Sequence, residues 1–120
     1  MKLIEIQELL EAEVLTGKYD PEKEIQIGCS SDLMSEILAF GKPGSILLTS
    51  LKNIQVINTA NVADIKAVCF VMGKIPDENI INLAKKNDIV VLITKLTTFE
   101  SCGRLYKNGL KSCSYFNLDK

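Results

Sequence analysis

The chain has no histidine and no tryptophan among its 120 residues, and only three prolines. Without histidine the ordinary Ser-His and Cys-His nucleophilic pairs cannot be built. The sequence contains neither GxxxxGK[ST] nor GxGxxG, so the two common glycine-based phosphate cradles are missing. The four cysteines, at 29, 69, 102 and 113, show no CxxC spacing. With no histidine to help them, they make no usual zinc set, and neither metal nor cofactor is expected. Charge of one sign is not in excess: 14 basic residues face 15 acidic ones, for a net −1. That balance leaves no footprint for a nucleic-acid backbone. The basic residues are scattered, Lys85-Lys86 being the densest pair, so no polybasic membrane patch arises. Apolar runs are short, such as residues 67–72, well below a membrane span. The N-terminal stretch MKLIEIQELLEAEV is interrupted by Glu5, Gln7, Glu8 and Glu11, unlike a signal peptide. These absences predict a soluble, cytoplasmic protein without a nucleic-acid or membrane partner.

What is present suits a folded domain. A hydrophobic content of 47% over this length supports one domain with a real core. Residues 2–12 place Leu3, Ile6, Leu9 and Leu10 on one helical face. Residues 14–16 read as a short strand, followed by the turn-rich 17–21. Residues 25–30 read as a strand in which Ile25, Ile27 and Cys29 share a face. Ser30-Ser31-Asp32 then offers three N-cap residues before a helix with an apolar stripe of Leu33, Met34, Ile37, Leu38 and Phe40. Gly41-Lys42-Pro43-Gly44 ends it. Strands follow at 45–49, 67–72 and 89–93. Helices are expected over 53–65, from Pro76-Asp77-Glu78 onward, and over 97–108. Continuous apolar strands alternating with helices predict an α/β fold, a mainly parallel sheet with helices on both faces. Residues 1–110 form the domain on this reading. Residues 111–120 form a C-terminal tail without a period, where Tyr115, Phe116 and Leu118 could dock. Cys29 and Cys69 lie in strand-like runs and read as small hydrophobes. Cys102 and Cys113 read as nearer the surface. All four are expected to be reduced thiols.

The strand ends carry the candidate chemistry. In a parallel sheet the C-terminal strand ends share one edge, where helix N-termini point. That rim collects Ser30, Ser31 and Asp32, then Thr49, then Gly73 and Lys74, then Thr94, Lys95, Thr97 and Thr98. Hydroxyls, amides and lysines together suit a small anion or a nucleotide phosphate. The same residues are also what helix N-caps require. If the rim is a site, Ser31, Asp32, Thr94, Lys95 and Thr97 should share one cleft. Glu100 and Arg104, spaced i, i+4, read as a structural pair, either on a helix surface or between subunits. No pattern brings two carboxylates together for acid–base work, so no catalytic residue is expected and the chain reads as a non-enzyme.

Two segments carry a family resemblance. CSSDLMSEILAFGKPGSILLT, residues 29–49, and TKLTTFESCGRLYKNGL, residues 94–110, resemble the DRTGG domain. The intervening VMGKIPDENIINLAKKNDIVVL fits the same order, so the resemblance spans residues 1–110. This family includes stand-alone proteins of anaerobic bacteria and archaea. It also includes modules in HPr kinase/phosphorylase, some phosphate acetyltransferases and some CBS-containing pyrophosphatases. The chain departs from the pattern in two ways: it has no literal DRTGG string, and Lys95 stands where proline is expected. The resemblance implies a regulatory or ligand-sensing module that pairs with a second copy of itself and acts through that homodimer or a partner protein. Two other readings are a structural subunit of a redox or hydrogenase-type complex and a small enzyme acting on phosphorylated metabolites.

Overall fold

The computed structural model describes residues 1–113. Five helices and six strands alternate along the described chain: α1 (Leu3–Leu9), β1 (Glu13–Val14), β2 (Ile27–Ser30), α2 (Met34–Phe40), β3 (Ile46–Thr49), α3 (Ile54–Val62), β4 (Ala67–Phe70), α4 (Glu78–Lys86), β5 (Val90–Ile93), α5 (Thr98–Lys107) and β6 (Lys111–Ser112). The sheet order is β1-β5-β4-β3-β2-β6. Only the β1–β5 pair is antiparallel; the other four pairings are parallel. The α/β fold with a mainly parallel sheet therefore stands.

Side chains of successive strand residues point to opposite faces, and two separate cores result. Leu47, Val68, Phe70 and Val91 face Ile37 of α2, Val56, Ile57 and Ala60 of α3, and Ile80 and Ala84 of α4. Ile46, Leu48, Ala67, Cys69 and Leu92 face Leu3 and Ile6 of α1 and Leu105 of α5. The strands are thus buried on both sides, which is why they read as unbroken apolar runs.

Topology explains which helix covers which face. β2, β3, β4 and β5 are successive neighbours, so the connections through α2, α3 and α4 all step the same way and share a face. The chain then returns from β5 to β6, beyond β2, stepping the opposite way. Crossovers of one hand put that helix on the other face, where α5 packs beside α1.

Local signals set the helix ends. Asn53 Oδ1 accepts from the Gln55 amide at 2.9 Å, Asp77 Oδ1 from Ile80 at 3.1 Å, and Thr97 Oγ1 from Glu100 at 3.1 Å. Four helices stop in the same way. Glu11, Asp64, Asp88 and Gly109 adopt positive φ just past α1, α3, α4 and α5. The amide of the next residue bonds back to the turn: Ala12 to Gln7, Ile65 to Ala60, Ile89 to Ala84 and Leu110 to Leu105, at 2.8–3.0 Å. That is the Schellman arrangement, with an apolar residue dropping into the core after each cap.

The structure corrects several details. Ile25 packs in the α1/α5 core, whereas Cys29 and Ile27 pack on the α2–α4 side. The three residues do not share a face because the chain enters β2 only at Ile27. On α2 only Ile37 is buried; Leu33 is 56% and Leu38 53% exposed. This helix packs mainly against α3, and only Ile37 is buried in the core, beside Cys29 and Leu47. Neither Ser30, Ser31 nor Asp32 is its N-cap; Leu33 is, and no side chain caps it. Pro76 precedes the cap residue Asp77 instead of opening α4. Lys111–Ser112 begin inside the sheet, paired with Ile27 and Gly28, although the sequence there has no period. Tyr115, Phe116 and Leu118 lie outside the described residues.

Candidate functional site

The expected rim exists, since β2, β3, β4 and β5 are mutually parallel and end on one edge. Its polar groups fall into two clusters. At the ends of β2 and β3, Asp32 Oδ1 accepts from the Thr49 hydroxyl at 2.7 Å and the Ser50 amide at 2.8 Å, and Oδ2 accepts from the Ser50 hydroxyl at 2.8 Å. The Thr49 hydrogen bond, with those from Ser50, holds the Asp32 carboxyl below the usual carboxylate range against the opposing effect of burial. Ser31 Oγ accepts from the Leu33 amide at 3.0 Å and donates to Glu36 at 2.9 Å. Ser30 is the exposed last residue of β2.

At the ends of β4 and β5, Met72 and Gly73 both take positive φ, 64° and 70°. Lys74 N donates to Val71 O at 3.2 Å, closing a turn, while Gly73 N donates to Thr94 O at 3.0 Å. Thr94 is buried; its hydroxyl donates to Leu10 O at 2.6 Å and accepts from the Leu96 amide at 3.2 Å. Lys95 is exposed, Thr97 caps α5, and Thr98 is its first residue. β2 and β5 stand three strand spacings apart, about 14 Å. Ser31 and Asp32 are therefore not gathered around one small ion with Thr94, Lys95 and Thr97. The connection after β4 passes to one face and that after β5 to the other, so a crevice opens between these strand ends, as open α/β sheets favour. It encloses about 300 Å³ and is lined by Gly73, Ile75, Thr94, Lys95 and Leu96, but also by Glu11 and Glu13.

A larger cavity of about 520 Å³ lies at the opposite side of the sheet, between α2 and α5 along β2. The short strand β6 pairs only with Ile27 and Gly28. Among the described residues β2 meets no further strand beyond it, and helices α2 and α5 wall the space. Ile37, Leu48, Leu105 and Leu110 supply apolar walls, while Ser30, Ser31, Glu36 and Lys111 supply polar groups. Phe99 and Tyr106 of α5 also line it and are 89% and 72% exposed. Of the rim residues named from sequence, Ser30 and Ser31 reach this cavity. Glu36, Phe40, Cys102, Leu110 and Lys111 were missed as lining residues. A signal did exist: Phe99, Gly103 and Tyr106 recur at i, i+4, i+7 on α5, away from its buried Ser101 and Leu105. Two apolar faces on one helix mark a second surface.

Glu100 and Arg104 do meet, at 3.6 Å, yet the shorter contacts of Arg104 go elsewhere. Its Nη1 donates to Glu11 Oε2 at 2.8 Å and to Leu9 O at 3.0 Å. The guanidinium thus caps the last turn of α1 and ties it to α5. Glu11 first, then Glu100, raises its pKa further. All four cysteines are free. Burial pushes the Cys69 thiol up to about 12. Among the described residues, no group of three or more acidic, cysteine or histidine side chains could hold a metal ion. Likewise, no helix among them is long and apolar enough to cross a membrane.

Comparison with curated proteins finds no match. Among solved structures, the chain is similar to the CBS and DRTGG domains of the regulatory region of Clostridium perfringens pyrophosphatase, crystallised with the activator diadenosine tetraphosphate. The TM-score is 0.71 at 21% identity, over 92% of this chain and 47% of that one. The likeness establishes the shared fold, and this chain spans about half of that neighbour. The DRTGG domain model matches residues 5–107. With nearly the whole described fold inside that match, the chain belongs to the DRTGG domain family.

Proposed function

We propose that this chain is a non-catalytic regulatory module that binds a nucleotide in the α2–α5 cavity and signals by pairing with a second copy. The observation that carries this is the cavity itself: apolar walls, a few polar groups and two exposed aromatic rings. Its volume lies within the roughly 300–1,000 Å³ usual for small-molecule sites. Stacking a base on an aromatic side chain contributes about 1–3 kcal/mol, and Phe99 and Tyr106 are placed to offer such faces. Ser30 and Ser31 supply hydroxyls, and Lys111 supplies charge for a phosphate. The nucleotide activator on the C. perfringens regulatory region supports the ligand class. Exposed aromatics lining a cavity are also what a second protein surface would cover. A ligand that binds the paired state more tightly would then shift the pairing equilibrium.

The β4/β5 crevice supports a second reading, an anion held by the Gly73 and Lys95 region at the point where the connections diverge. Glu11 and Glu13 on its wall oppose a phosphate there, which favours the cavity. Thermal-shift titration with ATP, AMP, diadenosine tetraphosphate and inorganic phosphate tests both. Saturable stabilisation by nucleotide, lost in Tyr106→Ala and kept in Lys95→Ala, supports the cavity. The reverse pattern, with Lys95→Ala weakening binding by about 1–3 kcal/mol, supports the crevice. Silence with all four compounds overturns both and favours a structural subunit; turnover of any of them favours an enzyme.

A further inference from the structure

β2 and β6 run parallel with Gly28 opposite Ser112. One residue further, the same register sets Cys29 opposite Cys113, and the Cys113 amide donates to Gly28 O at 3.1 Å. Adjacent strands lie about 4.8 Å apart, within the Cα separation a disulfide spans. Residues facing each other in parallel strands project to one side, and both sulfurs pack in the α2–α4 core and line the cavity. Cys113 lies close enough to Cys29 to help raise its pKa, after the larger effect of burial. Cys29 is 2% exposed, whereas Cys113 is only half-buried. Neither the core nor the proposed ligand requires a second thiol at this register; a serine or alanine at 113 would pair as well.

We propose that Cys29 and Cys113 are a reversible disulfide pair, oxidised by low-molecular-weight disulfides that enter at the cavity. The Cys113 thiolate attacks one sulfur of the small disulfide. This forms a mixed disulfide on Cys113 and releases one small thiolate. Cys29 Sγ then attacks Cys113 Sγ, giving up its proton and expelling the second small thiolate. One small disulfide is reduced to two thiols, and two cysteines are oxidised to one bond. The order follows from access, since the buried Cys29, its thiol pushed up to about 12 mainly by burial, is a poor first nucleophile. The bond would staple β6 to β2 and close a chain loop running from residue 29 to residue 113, which constrains the unfolded chain.

The test exposes the full reduced chain to oxidised glutathione, digests it with trypsin without reductant and maps the products by mass spectrometry. Trypsin leaves the four cysteines on four different peptides, so each pairing is distinct. The expected product joins the Cys29 and Cys113 peptides and disappears with dithiothreitol. In Cys29→Ser the glutathione adduct should stay on Cys113. The oxidised parent should also unfold at a higher temperature than the reduced one, with no such rise in Cys113→Ser. Glutathione remaining on Cys113 of the parent without a Cys29 link, or Cys113 linking mainly to Cys69 or Cys102, overturns the proposal. An unchanged unfolding temperature after complete oxidation overturns the staple. Nucleotide binding enters none of these measurements, so this result stands or falls apart from the proposed ligand.

Discussion

At Asp32 one carboxylate joins two strand ends. It takes three hydrogen bonds from Thr49 and Ser50, so the loop after β2 is held against the loop after β3. Because these bonds favour the ionised form, the folded-state pKa lies below the unfolded value. The resulting stability is present above the ordinary Asp range near 4 and is lost as pH falls through the lowered folded-state pKa. Asp32→Ala should therefore cost about 1 kcal/mol at pH 7, at the low end for charged hydrogen bonds because the site is solvent-exposed. The difference from the parent should vanish in strong acid. Urea unfolding of both proteins across pH checks this, and a difference that persists at the acid end would contradict it. The sequence placed Asp32 on the rim with Thr49 but offered it as a helix cap, whereas it binds Thr49 and Ser50. A residue that can cap its own helix can equally cap a loop 17 residues away, and local pattern cannot distinguish them.

At the scale of elements, the repeated helix stops are the informative feature. Three of the four Schellman positions are held by Glu11, Asp64 and Asp88 in the left-handed region, where a side chain costs energy that glycine avoids. The Asp88 amide bonds back to Lys85 O at 3.2 Å, a bond glycine would keep, while its exposed side chain makes no hydrogen bond among the described residues. Asp88→Gly should stabilise the protein by about 0.5–1 kcal/mol, the usual gain from relieving a non-glycine cap. The midpoint of chemical denaturation measures it, and a destabilised variant would show that the cap is unstrained. The helix starts Asn53, Asp77 and Thr97 were legible because an N-cap has a residue signature. The stop at Asp64 was not, because the usual signature there is glycine, and it is absent; the expected helix ran on to 65.

For the whole molecule, the exposed Phe99 and Tyr106 on α5 are the surface to test. If a second copy covers them, the chain should sediment as a dimer at tens of micromolar, on the order of ordinary dimer affinities. Phe99→Glu should then give a monomer with the same thermal stability, because this side chain contributes nothing to the core when 89% exposed. A parent that sediments as a monomer with and without nucleotide would remove pairing from the proposal. A cavity occupied by nucleotide in that monomer would leave ligand sensing intact.

The local sequence determined the alternation of strand and helix, because unbroken apolar runs bury on both faces and each capped amphipathic segment buries on one. It also determined that the sheet is mainly parallel, since a helix between every pair of strands from β2 to β6 leaves no hairpin. The resemblance in residues 29–49 and 94–110 carried the family. Three things were decided only in three dimensions. The strand order placed β6 beside β2, and two residues too few to show a period became an edge strand. That order moved α5 to the opposite face from α2 and opened the cavity between them. It also set Cys29 beside Cys113, 84 positions away in the sequence, a proximity created by β-sheet register, which no local spacing encodes.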